Sequence, residues 1–229
     1  MTTEILISLL TLIVLEIVLG IDNIIFISIL SDKLPVEKRK KARLVGLSLA
    51  LVLRLILLAG ISWIMKLDKT LMTISGIDFS GKDLILIAGG FFLLYKSNKE
   101  IFEKTEEGEH TNSAPVSKSF ATIIGQILLL DLVFSIDSII TAVGLVDELW
   151  VMYAAVIVSI SIMLAVAGAI SSFISKHPSL KILALCFLMM IGITLIAEGL
   201  DFHIPKQYIY FSMAFSFFVN MIQIRKTSK

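Results

Sequence analysis

From Ile5 to Leu30 the chain carries formal charge at two positions only, Glu16 and Asp22. The run is otherwise apolar or uncharged, and it exceeds the roughly 20 residues that cross the hydrocarbon layer of a bilayer. Inside that layer the backbone has no water to bond, so a spanning segment of this kind is expected to be a helix. That constraint sets the fold class as all-α membrane. Composition agrees, because only 17% of the 229 residues are charged, against about 25% in soluble domains.

By the same measure seven spans are expected, at 5–30, 44–65, 84–95, 121–145, 149–174, 180–200 and 204–224. The third is short, bracketed by Asp83 and Lys96, and relies on Lys82 and Lys96 reaching the interface with their ends. Fifteen of the twenty Lys and Arg residues fall in the odd-numbered loops and the C-terminal tail, led by Lys33, Lys38, Arg39, Lys40, Lys41 and Arg43. Cytoplasmic loops collect such residues, so a multi-pass plasma-membrane protein is expected, with its N-terminus outside and its C-terminus cytoplasmic. Basic residues placed between apolar runs, rather than along one face, offer no nucleic-acid surface. Met1-Thr2-Thr3-Glu4 lacks the positive region of a secretory signal, so the first span is expected to be retained.

The stretch Leu15 to Ile25 recurs 115 positions later as Leu130 to Ile140, aligning Glu16 with Asp131, Asp22 with Asp137 and Asn23 with Ser138. A weaker likeness joins Arg54 to Ser62 with Met163 to Ser171. The chain therefore divides into a first three-helix repeat (1–96), a cytoplasmic linker (97–119), a second three-helix repeat (120–200), and a seventh helix with its tail (201–229). An odd number of spans per repeat inserts the two copies from opposite sides, the inverted-repeat plan of secondary transporters, with the site near the midplane between the copies. The acidic run Glu106 to His110 in the linker reads as a solvated segment.

Glu16, Asp22, Arg54, Asp131 and Asp137 all lie inside spans, at about 2.5–3.5 kcal/mol each on insertion scales, and are expected to share a polar interior. Four carboxylates, the Asn23 amide and the hydroxyls of Ser135, Ser138 and Thr141, with no His or Cys nearby, suit a hard divalent cation such as Mn²⁺, Ca²⁺ or Mg²⁺. With Arg54 as the one counter-charge, part of the carboxylate set is expected to hold protons until metal arrives, which makes exchange of cation for proton plausible. Arg54 is expected to set the charge balance by pairing with an acid in the metal-free state. Met163, Met189, Met190 and Cys186 could lend a soft ligand to Mn²⁺, but core or lipid-facing filler is the favoured reading.

Positions seven apart share a helix face whereas positions six apart do not. Glu16 therefore lines up with Asn23, and Asp131 with Ser138. Bringing Asp22 and Asp137 inward calls for helix breaks at Gly20 and Ser135. Opposed insertion places Glu16 level with Asp137 and Asp22 level with Asp131, as two stacked acidic layers.

Glu16-Ile17-Val18-Leu19-Gly20-Ile21-Asp22-Asn23 and Asp131-Leu132-Val133-Phe134-Ser135-Ile136-Asp137-Ser138 resemble the paired signatures of the TerC family of integral membrane proteins. The likeness extends to the basic first loop, Arg54, the segment Ala88 to Lys96, and Ala197-Glu198-Gly199. It implies a seven-span protein related to the LysE-type exporters, tied by name to tellurium resistance and by function to Mn²⁺ efflux or metal supply to exported proteins. The expectation is a non-enzymatic exporter of divalent cations, Mn²⁺ foremost, with Glu16, Asp22, Asn23, Asp131, Asp137 and Ser138 as ligands and no resident cofactor. Its rivals are a membrane scaffold that works with secretion machinery and an intramembrane aspartyl protease, which needs two Asp residues in contact.

Overall fold

A computed structural model of the chain describes residues 2–74, 77–105, 119–146, 148–202 and 204–227. The side chain of Asp22 and the linker run Glu106 to His110 lie outside the described residues. The elements in order are α1 (Thr2–Ser31), α2 (Val36–Ala59), α3 (Ile61–Leu67), β1 (Thr70–Ile74), β2 (Ile77–Ser80), α4 (Gly81–Thr105), α5 (Phe120–Val143), α6 (Leu149–Lys176), α7 (Pro178–Gly199) and α8 (Lys206–Thr227).

Among the described residues five helices are long and apolar enough to cross a membrane: α1, α2, α5, α6 and α7. Charges at Asp83, Lys96, Lys99 and Glu100 interrupt α4, and Gln207, Asn220 and Gln223 dilute α8. The expected second span, 44–65, is divided at Gly60, where α2 ends and α3 begins. The loop after it is an antiparallel hairpin that the span pattern did not anticipate. Thr73 pairs with Asp78 across it, their side chains 2.5 Å apart, and the register shifts between Thr70 and Met72.

The expected breaks at Gly20 and Ser135 are absent: α1 and α5 run through both positions as continuous helices. The reason in α5 is enclosure. Ser135, Ile136, Asp137, Ser138 and Ile139 are all buried, so every face is covered there and Asp137 needs no local unwinding to leave the lipid. In α1, Gly20 serves close approach instead, since a Cβ on it would collide with the Met163 sulfur.

The helices form two compact units, Met1–Lys69 with Pro115–Phe173, and Thr70–Ala114 with Ile174–Lys229. Each draws on both halves of the sequence. In the first unit α5 packs against α2, α1 and α3. Leu12, Ile24, Leu47, Leu58, Ile123, Ile127 and Leu130 fill the space between them. Gly46 lets α2 approach α5, since a Cβ there would lie 3.1 Å from Ile127. The basic loop folds back on the end of α1: Arg39 Nε donates to the Leu34 carbonyl at 2.9 Å and Arg43 Nη1 to Ser31 Oγ at 3.5 Å. Cations are favoured at that end, where the carbonyls of the last turn are unpaired.

In the second unit α4 and α7 are antiparallel and touch through their backbones. A Cβ on Gly90 would lie 2.5 Å from the Gly192 carbonyl oxygen, and one on Gly192 would lie 2.9 Å from that of Gly90. Ser80 starts α4 with a reciprocal cap, its Oγ accepting from the Asp83 N–H at 3.2 Å while the Asp83 carboxylate accepts from the Ser80 N–H at 2.8 Å. At the far end of α7, Asp201 takes a left-handed φ of 66°. The Phe202 and Asp201 N–H groups there close back on Ala197 and Glu198 at 2.8 and 3.1 Å. α8 packs on α7, with the Ser179 hydroxyl donating to Asn220 Oδ1 at 3.2 Å.

Candidate functional site

Within the first unit, α1 presents Glu16, Gly20 and Asn23 on one face, and α5 presents Asp131, Ser135 and Ser138 on one face, each set four and seven residues apart. Asn23 Nδ2 donates to Asp131 Oδ1 at 3.3 Å. Seven residues further along α5, the Ser138 hydroxyl lies near the Glu16 carboxylate and donates to the Ser135 carbonyl at 3.3 Å. The two polar faces therefore meet in antiparallel register. This places the backbone of Asp22 near the level of Asp131, and Asp137 near the level of Glu16.

Arg54 of α2 closes the cluster. Its Nη1 donates to Glu16 Oε2 at 2.5 Å, while Nη2 and Nε donate to Asp131 Oδ1 at 2.9 and 3.2 Å. One guanidinium thus ties together Glu16 and Asp131, which the sequence pattern assigns to different levels. The layers are bridged rather than separate, because the planar fork carries donors on several edges and reaches both carboxylates at once. Of the two acids that Arg54 holds, Asp131 accepts the more hydrogen bonds. Its Oδ1 accepts from Arg54 and Asn23, and its Oδ2 accepts from the Ser135 hydroxyl at 3.3 Å.

Glu16, Asn23, Arg54, Asp131, Asp137 and Ser138 are each no more than 6% exposed. At that burial the charges lose their hydration, and charge-assisted bonds have to replace it. The structure brings Glu16, Asn23, Arg54 and Asp131 into one network and buries Ser138 and Asp137 side by side on α5. Among the described residues, no three His, Cys, Asp or Glu side chains converge as a metal-holding group. Chemically this is a packed, oxygen-rich cluster between helices, two carboxylates with hydroxyl and amide neighbours and a protein cation seated on them.

Two further participants were named from the sequence for other reasons. Ser135 bonds Asp131 instead of breaking the helix, and its place one turn after Asp131 is the spacing that signals it. Met163 of α6 sets its sulfur against Gly20, and its alignment with Arg54 in the other repeat is the signal that was available.

Several long apolar helices with a charged cluster buried among them define a multi-pass integral membrane protein. The chain belongs to the TerC family of integral membrane proteins, whose family model matches residues 1–228. It is 50% identical over 215 residues to the UPF0053 inner membrane protein YoaE of Escherichia coli K12, covering 93% of this chain and 42% of that protein. It is 52% identical over 220 residues to a UPF0053 protein of Haemophilus influenzae, covering 96% of this chain and 93% of that one. With the inner membrane protein YgdQ of Escherichia coli K12 the identity is 50% over 219 residues, or 96% and 92% of the two chains. The chain thus spans less than half of YoaE and nearly the whole of the other two. No solved structure matches.

Proposed function

We propose that this protein is an inner-membrane exporter of divalent metal cations, with Mn²⁺ as the foremost cargo, exchanged for protons, and that it is not an enzyme. The observation that carries this reading is the Arg54 guanidinium held between Glu16 and Asp131 in the interior of a helical membrane unit. Two carboxylates that accept a protein-borne cation offer the same oxygens to a metal ion, and Asn23, Ser135 and Ser138 supply the further oxygen donors that hard cations take. The Asp131 oxygens are taken up by donors in this arrangement, so cargo enters by exchange with Arg54 rather than by addition. Asp22 and Asp137 complete the ligand set in the exchanged state.

The spanning architecture proposed is seven helices in two inverted repeats, as in the LysE-type exporters, with the N-terminus outside. Support for α4 as a span comes from its antiparallel contact along α7 through Gly90 and Gly192. Support for α8 comes from its 22 residues, its packing on α7 and its exposed Phe211, Phe215 and Phe218, which suit lipid. The fifteen basic residues on one side support the orientation.

The test is metal flux in sealed vesicles carrying the purified chain, with a pH gradient, for Mn²⁺, Ca²⁺ and Mg²⁺. The expected outcome is Mn²⁺ movement that Asp131→Asn and Asp22→Asn each abolish. Absence of flux for any of the three metals in the wild type would refute the reading.

A further inference from the structure

Resting on that reading, we infer that the Met163 thioether is a ligand of the cargo and the element that favours a transition-metal cation over Mg²⁺ and Ca²⁺. Gly20 lies one turn beyond Glu16 and one turn before Asn23 on the same face of α1. That face is polar above and below the glycine and has no side chain at it. The space is filled from α6: the Met163 sulfur is the nearest atom to the position a Gly20 Cβ would take, closer even than the terminal methyl, which lies 3.0 Å away. The sulfur is therefore in contact with the bare backbone of α1, between the levels of Glu16 and Asn23. Met163 is 2% exposed, and Ser159, one turn earlier on the same face of α6, is fully buried.

Packing alone asks only for volume at this position, and a leucine supplies it. The thioether adds a polarisable donor atom on an unbranched, mobile stem that can follow an ion by rotation about its own bonds. Mg²⁺ and Ca²⁺ take oxygen ligands and gain nothing from sulfur; Mn²⁺, at the hard end of the transition series, gains a weak bond, and softer ions such as Cd²⁺ a stronger one. The two repeats thus place different groups at aligned positions. Arg54 supplies the charge that cargo must displace, and Met163 supplies the atom that distinguishes one cargo from another.

Cd²⁺ alone serves as the probe. The purified chain is titrated with it and its cadmium NMR resonance is recorded for the wild type, for Met163→Leu, which conserves volume, and for Gly20→Ala, which pushes the sulfur off the α1 face. Sulfur ligation moves that resonance downfield of the all-oxygen range. The expected result is a downfield resonance in the wild type that reverts in both variants, with Cd²⁺ affinity lower by about tenfold, as for other losses around a metal centre. In vesicles the ratio of Mn²⁺ to Mg²⁺ flux falls as well, by a smaller factor, because Mn²⁺ is harder than Cd²⁺. An oxygen-range resonance in the wild type, or an unchanged flux ratio in a folded Met163→Leu variant, overturns the inference while Mn²⁺ flux itself leaves the transport reading standing. A wild type that neither binds Cd²⁺ nor moves Mn²⁺ overturns both.

Discussion

Removing Arg54 is the sharpest perturbation the site offers, because one side chain neutralises two buried carboxylates. Arg54→Gln keeps much of the side-chain length and leaves Glu16 and Asp131, each no more than 5% exposed, without their cation. Breaking a buried ion pair on one side costs about 3–5 kcal/mol. For a chain of 150–250 residues each kcal/mol moves the midpoint by about 2–4 °C, so Arg54→Gln is expected to melt about 6–20 °C below the wild type. Tryptophan fluorescence in detergent micelles, from Trp63 and Trp150, reads the transition. Arg54→Lys keeps the charge but not the fork that joins Glu16 Oε2 to Asp131 Oδ1, and is expected to fall between the two. The Glu16→Gln/Arg54→Gln pair removes one orphaned charge together with its partner and is expected to recover stability relative to Arg54→Gln alone. Coupled neighbours typically show about 0.5–3 kcal/mol of such non-additivity. A midpoint for Arg54→Gln within about 2 °C of the wild type, less than one kcal/mol on this scale, would refute the view that the guanidinium holds the cluster together. So would a double variant no better than the additive sum.

The glycine contacts separate two kinds of close approach. Gly90→Ala drives a methyl into the Gly192 carbonyl, which cannot rotate away, so it is expected to reach or exceed the upper end of the roughly 1–3 kcal/mol range for overpacking. Gly20→Ala meets only the flexible end of Met163 and is expected at the lower end; equal losses of thermal stability in the two variants would contradict this. At the start of α4, Ser80→Ala removes one half of the reciprocal cap with Asp83 and is expected to cost about 1 kcal/mol. Hydrogen exchange at the first turn of α4 is the local readout, and unchanged protection there would show that the cap contributes nothing.

The parts of the fold set by hydrocarbon burial were legible in the sequence, and those set by contacts between distant segments were not. Five apolar runs became five long helices because nothing but an internally bonded backbone satisfies a membrane interior. The aligned acids Glu16 and Asp131 likewise came to lie in one unit, where Arg54 joins them. What the pattern could not supply was the direction in which a side chain reaches. Asp137 lies six residues from Asp131, and on a straight helix exposed to lipid on one side it needs a break to turn inward. On α5 it needs none, since α1, α2 and α3 enclose that helix. Gly20 read as a weak point for the same reason: a glycine in a helix looks the same in sequence whether it bends the chain or admits a neighbour. Here it admits Met163. Arg54 shows the converse, since its presence in a span was legible as a counter-charge, but only the geometry puts its fork on Glu16 and Asp131 together. A cation that already occupies both acids makes binding of any other cation a replacement. The chemistry proposed for this cluster is therefore exchange of one positive charge for another, with the protein itself supplying the charge in the empty state.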